Sequence, residues 1–235
     1  MSHKELLDAA KNGQIEKVNL AVDDGIVNCQ DEDGFTALEL LEAGLELIDA
    51  AKNGQIEKVD LVVYDGIVNC QDEDGFTALI VAAKQGHVEI VKLLLNFECN
   101  VDIQEKLLGY TALIYASEYG HEEIFDLLLD HDCNVNIQSN RTEGGNTAFI
   151  SACRSGHYKL AIALIEAGCD TSLRDRNGAC GIDLIKDSIR AEAVKVSFDH
   201  PFTYLITQYC QRLNNSAQLT PRRQNGLLMY NYLKI

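Results

Sequence analysis

The run "DEDGFTALIVAAKQGHVEIVKLLLNFECNVDIQ" at Asp72–Gln104 decides the fold. It opens on a polar turn around Gly75, and Thr77 stands where a helix N-cap accepts a backbone N–H. Leu79, Ala82 and Ala83 then give a first helix a narrow apolar face, and the alanines let neighbouring helices approach. Gly86 stops that helix, as a glycine at C′ does. A second helix carries Val88, Ile90, Val91, Leu93, Leu94 and Leu95, too apolar to stand in water without neighbours on both sides. The unit reads turn, helix, turn, helix, long loop, and it cannot bury its own apolar face.

The same sentence recurs. "GYTALIYASEYGHEEIFDLLLDHDCNVNIQ" follows from Gly109 and "GNTAFISACRSGHYKLAIALIEAGCDTSLR" from Gly145, while "DRNGACGIDLI" opens a degraded copy at Asp175. The turn glycines Gly75, Gly109, Gly145 and Gly178 lie 34, 36 and 33 residues apart. Upstream, Leu6–Leu40 and Leu47–Val81 are identical at 29 of 35 positions, 41 residues apart. Periods of this length mean stacked units whose stability sums over units and interfaces.

The pattern Gly-x-Thr-Ala-(Leu/Phe)-Ile … Gly-His … Leu-Leu/Ala-Leu-Ile … Asn/Asp resembles the ankyrin repeat over roughly Lys4–Ile189. The resemblance implies an all-α, ankyrin-like solenoid of stacked helix-turn-helix units, about five to six of them over residues 1–190. Where the family carries His after Thr-Pro-Leu, this chain has Glu39, Ile80, Ile114 and Ile150, and the Pro is Ala. The family's Thr-to-His hydrogen bond is thereby lost, and apolar contact among the isoleucines is expected in its place.

The first helix spans 11 residues between glycines elsewhere (Gly75–Gly86, Gly109–Gly120, Gly145–Gly156) but 20 between Gly34 and Gly54. The nine-residue insertion, near residues 40–49, still looks helical: Glu39, Glu42, Glu46, Asp49 and Asn53 line one side, Leu38, Leu41, Leu45 and Ile48 the other. Nine residues at about 100° each put the two ends half a turn out of phase. A break or kink near Gly44 is therefore expected, read as the join of a tandem duplication rather than as a binding helix.

The formal net charge is −16, unevenly distributed. Through Ile185 there are 13 Lys and Arg against 33 Asp and Glu; from Lys186 onward there are 7 against 3. Such an acidic stack repels nucleic acid and favours basic partners. No apolar run approaches the length of a membrane span, so no membrane insertion is expected, and a cytoplasmic monomer is. The eight cysteines include no C-x-x-C; Cys99, Cys133 and Cys169 share a small-residue loop slot, Cys29 and Cys70 are one duplicated position, Cys153 takes a small-residue helix slot and Cys180 a capping-Thr slot. They read as buried thiols in a reducing compartment, with no metal site and no cofactor. His87, His121 and His157 share the Gly-His slot and read as backbone-bonding residues. No catalytic motif appears, so a non-enzyme is expected. Asn28, Asn69 and Asn136 share the "VN" slot, where the family's Asn can be hydroxylated; here a loop-bonding role is expected.

The resemblance further implies that a protein partner binds the concave side, made of hairpin tips and the exposed side of the first helices. Carried over, the tips hold Glu32, Asp33, Phe35, Glu73, Asp74, Phe76, Leu107, Leu108, Tyr110 and Asn146, and the helices offer Lys84, Gln85, Glu118, Tyr119 and Arg154. Aromatic and apolar groups ringed by acids suit a partner with a basic, partly apolar surface. "KLLGY" at Lys106–Tyr110 departs from the Asp-x-x-Gly turn and is expected to expose both leucines. Residues 191–235 are expected to form a C-terminal helical cap or tail; the rival reading is a substrate adaptor whose C-terminal helices recruit a ubiquitin-ligase component.

Overall fold

The computed structural model describes residues 2–18, 30–31, 35–64, 66–97, 99–140, 142 and 144–185. Glu32, Asp33, Asn28, Cys29 and the expected cap at 191–235 lie outside the described residues. The helices are α1 (His3–Lys11), α2 (Ala37–Lys52), α3 (Ile56–Val62), α4 (Ala78–Gln85), α5 (Val88–Leu95), α6 (Ala112–Tyr119), α7 (Glu122–Asp130), α8 (Ala148–Ser155) and α9 (Tyr158–Glu166). Further helical turns lie at residues 15–18 and 181–185. The pairs α2–α3, α4–α5, α6–α7 and α8–α9 are hairpins. First helices stack in the order α1, α2, α4, α6, α8, and second helices in the order α3, α5, α7. Among the described residues there is no strand, only an isolated antiparallel bridge between Gln30 and Thr36. This is the expected all-α solenoid of helix-turn-helix units.

The local chemistry is repeated unit by unit. Thr77, Thr111 and Thr147 cap α4, α6 and α8, their Oγ1 accepting from Ile80, Ile114 and Ile150 N at 3.2, 3.3 and 3.2 Å. Those three isoleucines are buried where the family carries a polar ring. Gly86, Gly120 and Gly156 close the same helices at φ 81°, 75° and 77°, a left-handed region that costs a side chain dearly. Gly86 and Gly120 also leave room for a histidine of the next unit. A Cβ on Gly86 would come within 2.8 Å of the His121 ring, and one on Gly120 within 2.5 Å of the His157 ring. Those rings bond back across the interface, His121 Nε2 to Lys84 O at 3.3 Å and His157 Nε2 to Glu118 O at 3.1 Å. His121 and His157 thus have the backbone-bonding role expected of them.

The long loops are tied by a chain of side-chain acceptors. Asn69 Oδ1 accepts from Asn100 N, Asn100 Oδ1 from Asp102 N, and Asp102 Oδ1 from Asn134 N. Asn134 Oδ1 then accepts from Asn136 N, Asn136 Oδ1 from Asp170 N, and Asp170 Oδ1 from Ser172 N. These bonds alternate within and between units, so the loops from Asn69 to Ser172 are fastened one to the next; Asn69 and Asn136 take the loop-bonding role read from the "VN" slot.

The expected kink is absent. α2 is one unbroken helix through Gly44. The phase conflict is resolved by leaving Leu38 outside, at 40 % exposure, while Leu40, Leu41, Gly44, Leu47, Ile48 and Ala51 form the buried stripe. Gly44 serves close packing rather than bending, since a Cβ there would stand 2.3 Å from Cys70 Sγ. The doubled length also shifts the register of the first unit. Gly54 sits against His87 like its downstream counterparts, but Gly13 sits against the backbone of Gln71. Cys70 Sγ, which lies on Gly44, also approaches Ala10 O at 4.0 Å. The end of α1 therefore lies opposite the middle of α2.

Candidate interaction face

Each hairpin tip is pinned by a side chain in one slot. Asp72 Oδ1 accepts from Phe76 N at 2.8 Å, and Asp175 Oδ1 from Asn177 and Ala179 N at 2.8 and 2.9 Å. The tip at Glu105–Tyr110 is one residue longer, and a Glu replaces the Asp. The Glu105 carboxylate, on a residue only 1 % exposed, accepts from Leu107, Leu108 and Tyr110 N at 2.6, 2.9 and 2.9 Å. The extra methylene spans the extra residue. Successive tips are joined by Lys106 N to Asp74 O, Asn140 N to Leu108 O and Arg176 N to Gly144 O, each at 2.8 Å. Of the two leucines in this turn only Leu107 is exposed; Leu108 is half-buried against the core, which corrects the expectation of two exposed leucines.

Beside the tips runs a row of rings. Phe76 lies 6.2 Å from Tyr115, Tyr110 5.1 Å from Tyr115, and Tyr119 stacks on Tyr115 at 6.3 Å and 9°. Lys84 Nζ stands 5.0 Å from the centroids of both Phe76 and Tyr115. Next to the row, Tyr110 OH accepts from Asn146 Nδ2 at 2.8 Å. The Arg154 guanidinium donates to Asn146 Oδ1 and Asp175 Oδ2, both at 2.8 Å. Burial pushes the Tyr110 hydroxyl pKa up; the Asn146 bond opposes this, and the nearby Glu118 carboxylate adds to it. Burial likewise raises Tyr115, with Glu105, Tyr119 and Glu118 adding to it.

The structure thus gathers Phe76, Lys84, Tyr110, Glu118, Tyr119, Asn146 and Arg154. Two of these are not surface groups as expected: Tyr110 and Asn146 are buried, because their mutual hydrogen bond crosses a unit interface. Glu73, Asp74 and Gln85 are exposed around the row. Phe35 stands apart from it, 42 % exposed and stacked on Tyr64 at 5.8 Å. Tyr115, Glu105 and Asp175 were missed by motif reading. Tyr115 carried one signal, an aromatic in the slot held by Val81 and Ser151 in the flanking units.

Among the described residues no group of His, Cys, Asp and Glu is arranged to hold a metal ion, and no helix is long and apolar enough to cross a membrane. Burial pushes the Cys70 thiol up to about 12 and those of Cys99 and Cys133 to about 11, so these three thiols stay protonated at neutral pH.

Residues 47–139 match the model for ankyrin repeats in three copies, and residues 144–176 match the model for the ankyrin repeat. This chain belongs to the ankyrin-repeat family. A search of curated proteins returned no match. Ankyrin repeats are protein–protein interaction modules and generally non-enzymatic scaffolds, and in an ankyrin stack the tips and first helices form the concave side. The ring row and its acidic surround lie on the elements that make this side.

Proposed function

We propose that this ankyrin-repeat chain is a non-catalytic, cytoplasmic module that binds a protein with a basic, partly apolar surface through its concave face. The observation that carries the reading is the Phe76–Tyr115–Tyr119 row. Tyr119 ends it at 51 % exposure, with Glu118 as its chain neighbour and Gln85, Glu73 and Asp74 exposed around it. A large ring left half in water beside acids, as Tyr119 is, gains most from a partner that covers it and supplies positive charge. The exposed Glu73, Asp74, Gln85, Leu107, Tyr119 and Arg154, with the half-buried Phe76, Lys84 and Glu118, make up the proposed surface. Tyr110 and Asn146 support it from beneath.

The test is affinity capture with the wild-type chain and with Phe76→Ala and Tyr119→Ala, using Lys159→Ala on α9 as control. Capture of a specific protein should fall about tenfold or more with each ring variant, as for a central interface residue costing above 1.4 kcal/mol. Capture that survives both ring losses would remove the concave face from the proposal.

A further inference from the structure

This inference rests on the concave-face reading and names the group that selects the partner. Seven residues after each capping threonine, three successive units place Lys84, Glu118 and Arg154. The two cations are already engaged within the chain. Lys84 lies over the Phe76 and Tyr115 rings, and Arg154 is held by Asp175 and Asn146. Glu118 forms no ion pair among the described residues. Its main chain is fixed, since its carbonyl accepts from the His157 ring at 3.1 Å. Its Oε2 is shielded from water, and the carboxylate lies against the Tyr110 hydroxyl, a neutral neighbour rather than a cation. A carboxylate whose neighbours are neutral gains by turning toward a cation, since a hydrogen bond between two charged groups is stronger than one to a neutral group.

Tyr119 stands beside it, half exposed and braced from behind. Its ring is stacked on Tyr115 at 6.3 Å and on His121 at 6.1 Å. A guanidinium is planar, weakly hydrated, and able to bond a carboxylate while lying on an aromatic face; an ammonium is compact and strongly hydrated. The excess of 33 acidic over 13 basic residues through Ile185 draws cations toward the stack. We propose that Glu118 and Tyr119 form an arginine-receiving site, in which a guanidinium of the protein partner pairs with the Glu118 carboxylate and lies against the Tyr119 ring.

The full chain, labelled with 15N, is titrated with the peptide acetyl-Gly-Leu-Arg-Leu-Gly-amide and with the same peptide carrying citrulline, a neutral isostere of arginine. The arginine peptide should move the amide signals of Glu118, Tyr119 and Gly120, and the citrulline peptide should bind about fivefold more weakly, as for a partly exposed ion pair. Glu118→Gln should reduce arginine-peptide binding to the citrulline level, while Glu123→Gln on α7 leaves it unchanged. Should both peptides move first-helix signals with equal affinity, or Glu118→Gln have no effect, the arginine site is wrong while the concave-face reading stands. Should neither peptide move any first-helix signal, both readings fall. The citrulline comparison is made on the unaltered chain, so it holds even if Glu118→Gln folds poorly.

Discussion

At the scale of single residues, Glu105 shows how a small change of side-chain length preserves a repeated turn. Asp72 and Asp175 hold four-residue turns with one carboxylate oxygen on the closing amides; Glu105 holds a longer one with both oxygens. Removing it in Glu105→Ala leaves three main-chain donors without their acceptor beside a buried Tyr110. We expect a loss of about 2–3 kcal/mol, since bonds to charged groups exceed neutral ones and buried unpaired donors are costly. Glu105→Asp keeps the charge but falls short of the longer turn, and should lose about 1 kcal/mol. Urea unfolding followed by circular dichroism measures both; equal stability of wild type and Glu105→Ala would refute this account of the turn. The sequence showed that this tip departs from its siblings. It did not show that Glu105 would compensate, because that depends on where three N–H groups point.

At the scale of the element, α2 turned on the role of one glycine. Propensity alone makes Gly44 a weak point, about 1 kcal/mol worse than Ala in a helix interior. Packing reverses the sign: a methyl group at Gly44 would stand 2.3 Å from Cys70 Sγ and 2.5 Å from Cys70 Cβ. Overpacking costs about 1–3 kcal/mol, so Gly44→Ala should lower stability despite its better propensity. A thermal midpoint below wild type is the expected outcome, and a rise would mean that the α2–Cys70 contact is not close. The sequence signalled the phase conflict correctly, through nine residues at a fixed helical angle. The chain resolves it by exposing Leu38 rather than bending, a choice set by what the neighbouring elements cover.

At the scale of the molecule, the stack runs in one register from α2 onward and in another at α1. Deleting residues 37–45 would set Thr36 seven positions ahead of Lys52, the spacing of Thr77 and Lys84. Gly13 should then meet residue 55, the slot filled downstream by His87, His121 and His157. In that deletion variant Gln55→His should add about 1 kcal/mol by supplying the cross-unit hydrogen bond, and in the full chain it should add nothing. Paired melting curves followed by circular dichroism decide it; an equal effect in both backgrounds would contradict the shifted register.

Period, caps, stop glycines and apolar faces are local, so the sequence alone determined the helix-turn-helix unit, its repetition and the family. The Thr77, Thr111 and Thr147 caps and the glycines at positive φ act within one turn of chain, and the ring histidines follow from their recurrence. Only the tertiary structure decided which surface residues remain on the surface. Tyr110 and Asn146 occupy tip positions like their exposed neighbours, yet they are buried because side chains 36 residues apart meet across a unit boundary. The same holds for Glu118, which has no ion pair among the described residues while Lys84 and Arg154 have found other partners. Such pairings depend on distances between stacked units, and no local pattern encodes them.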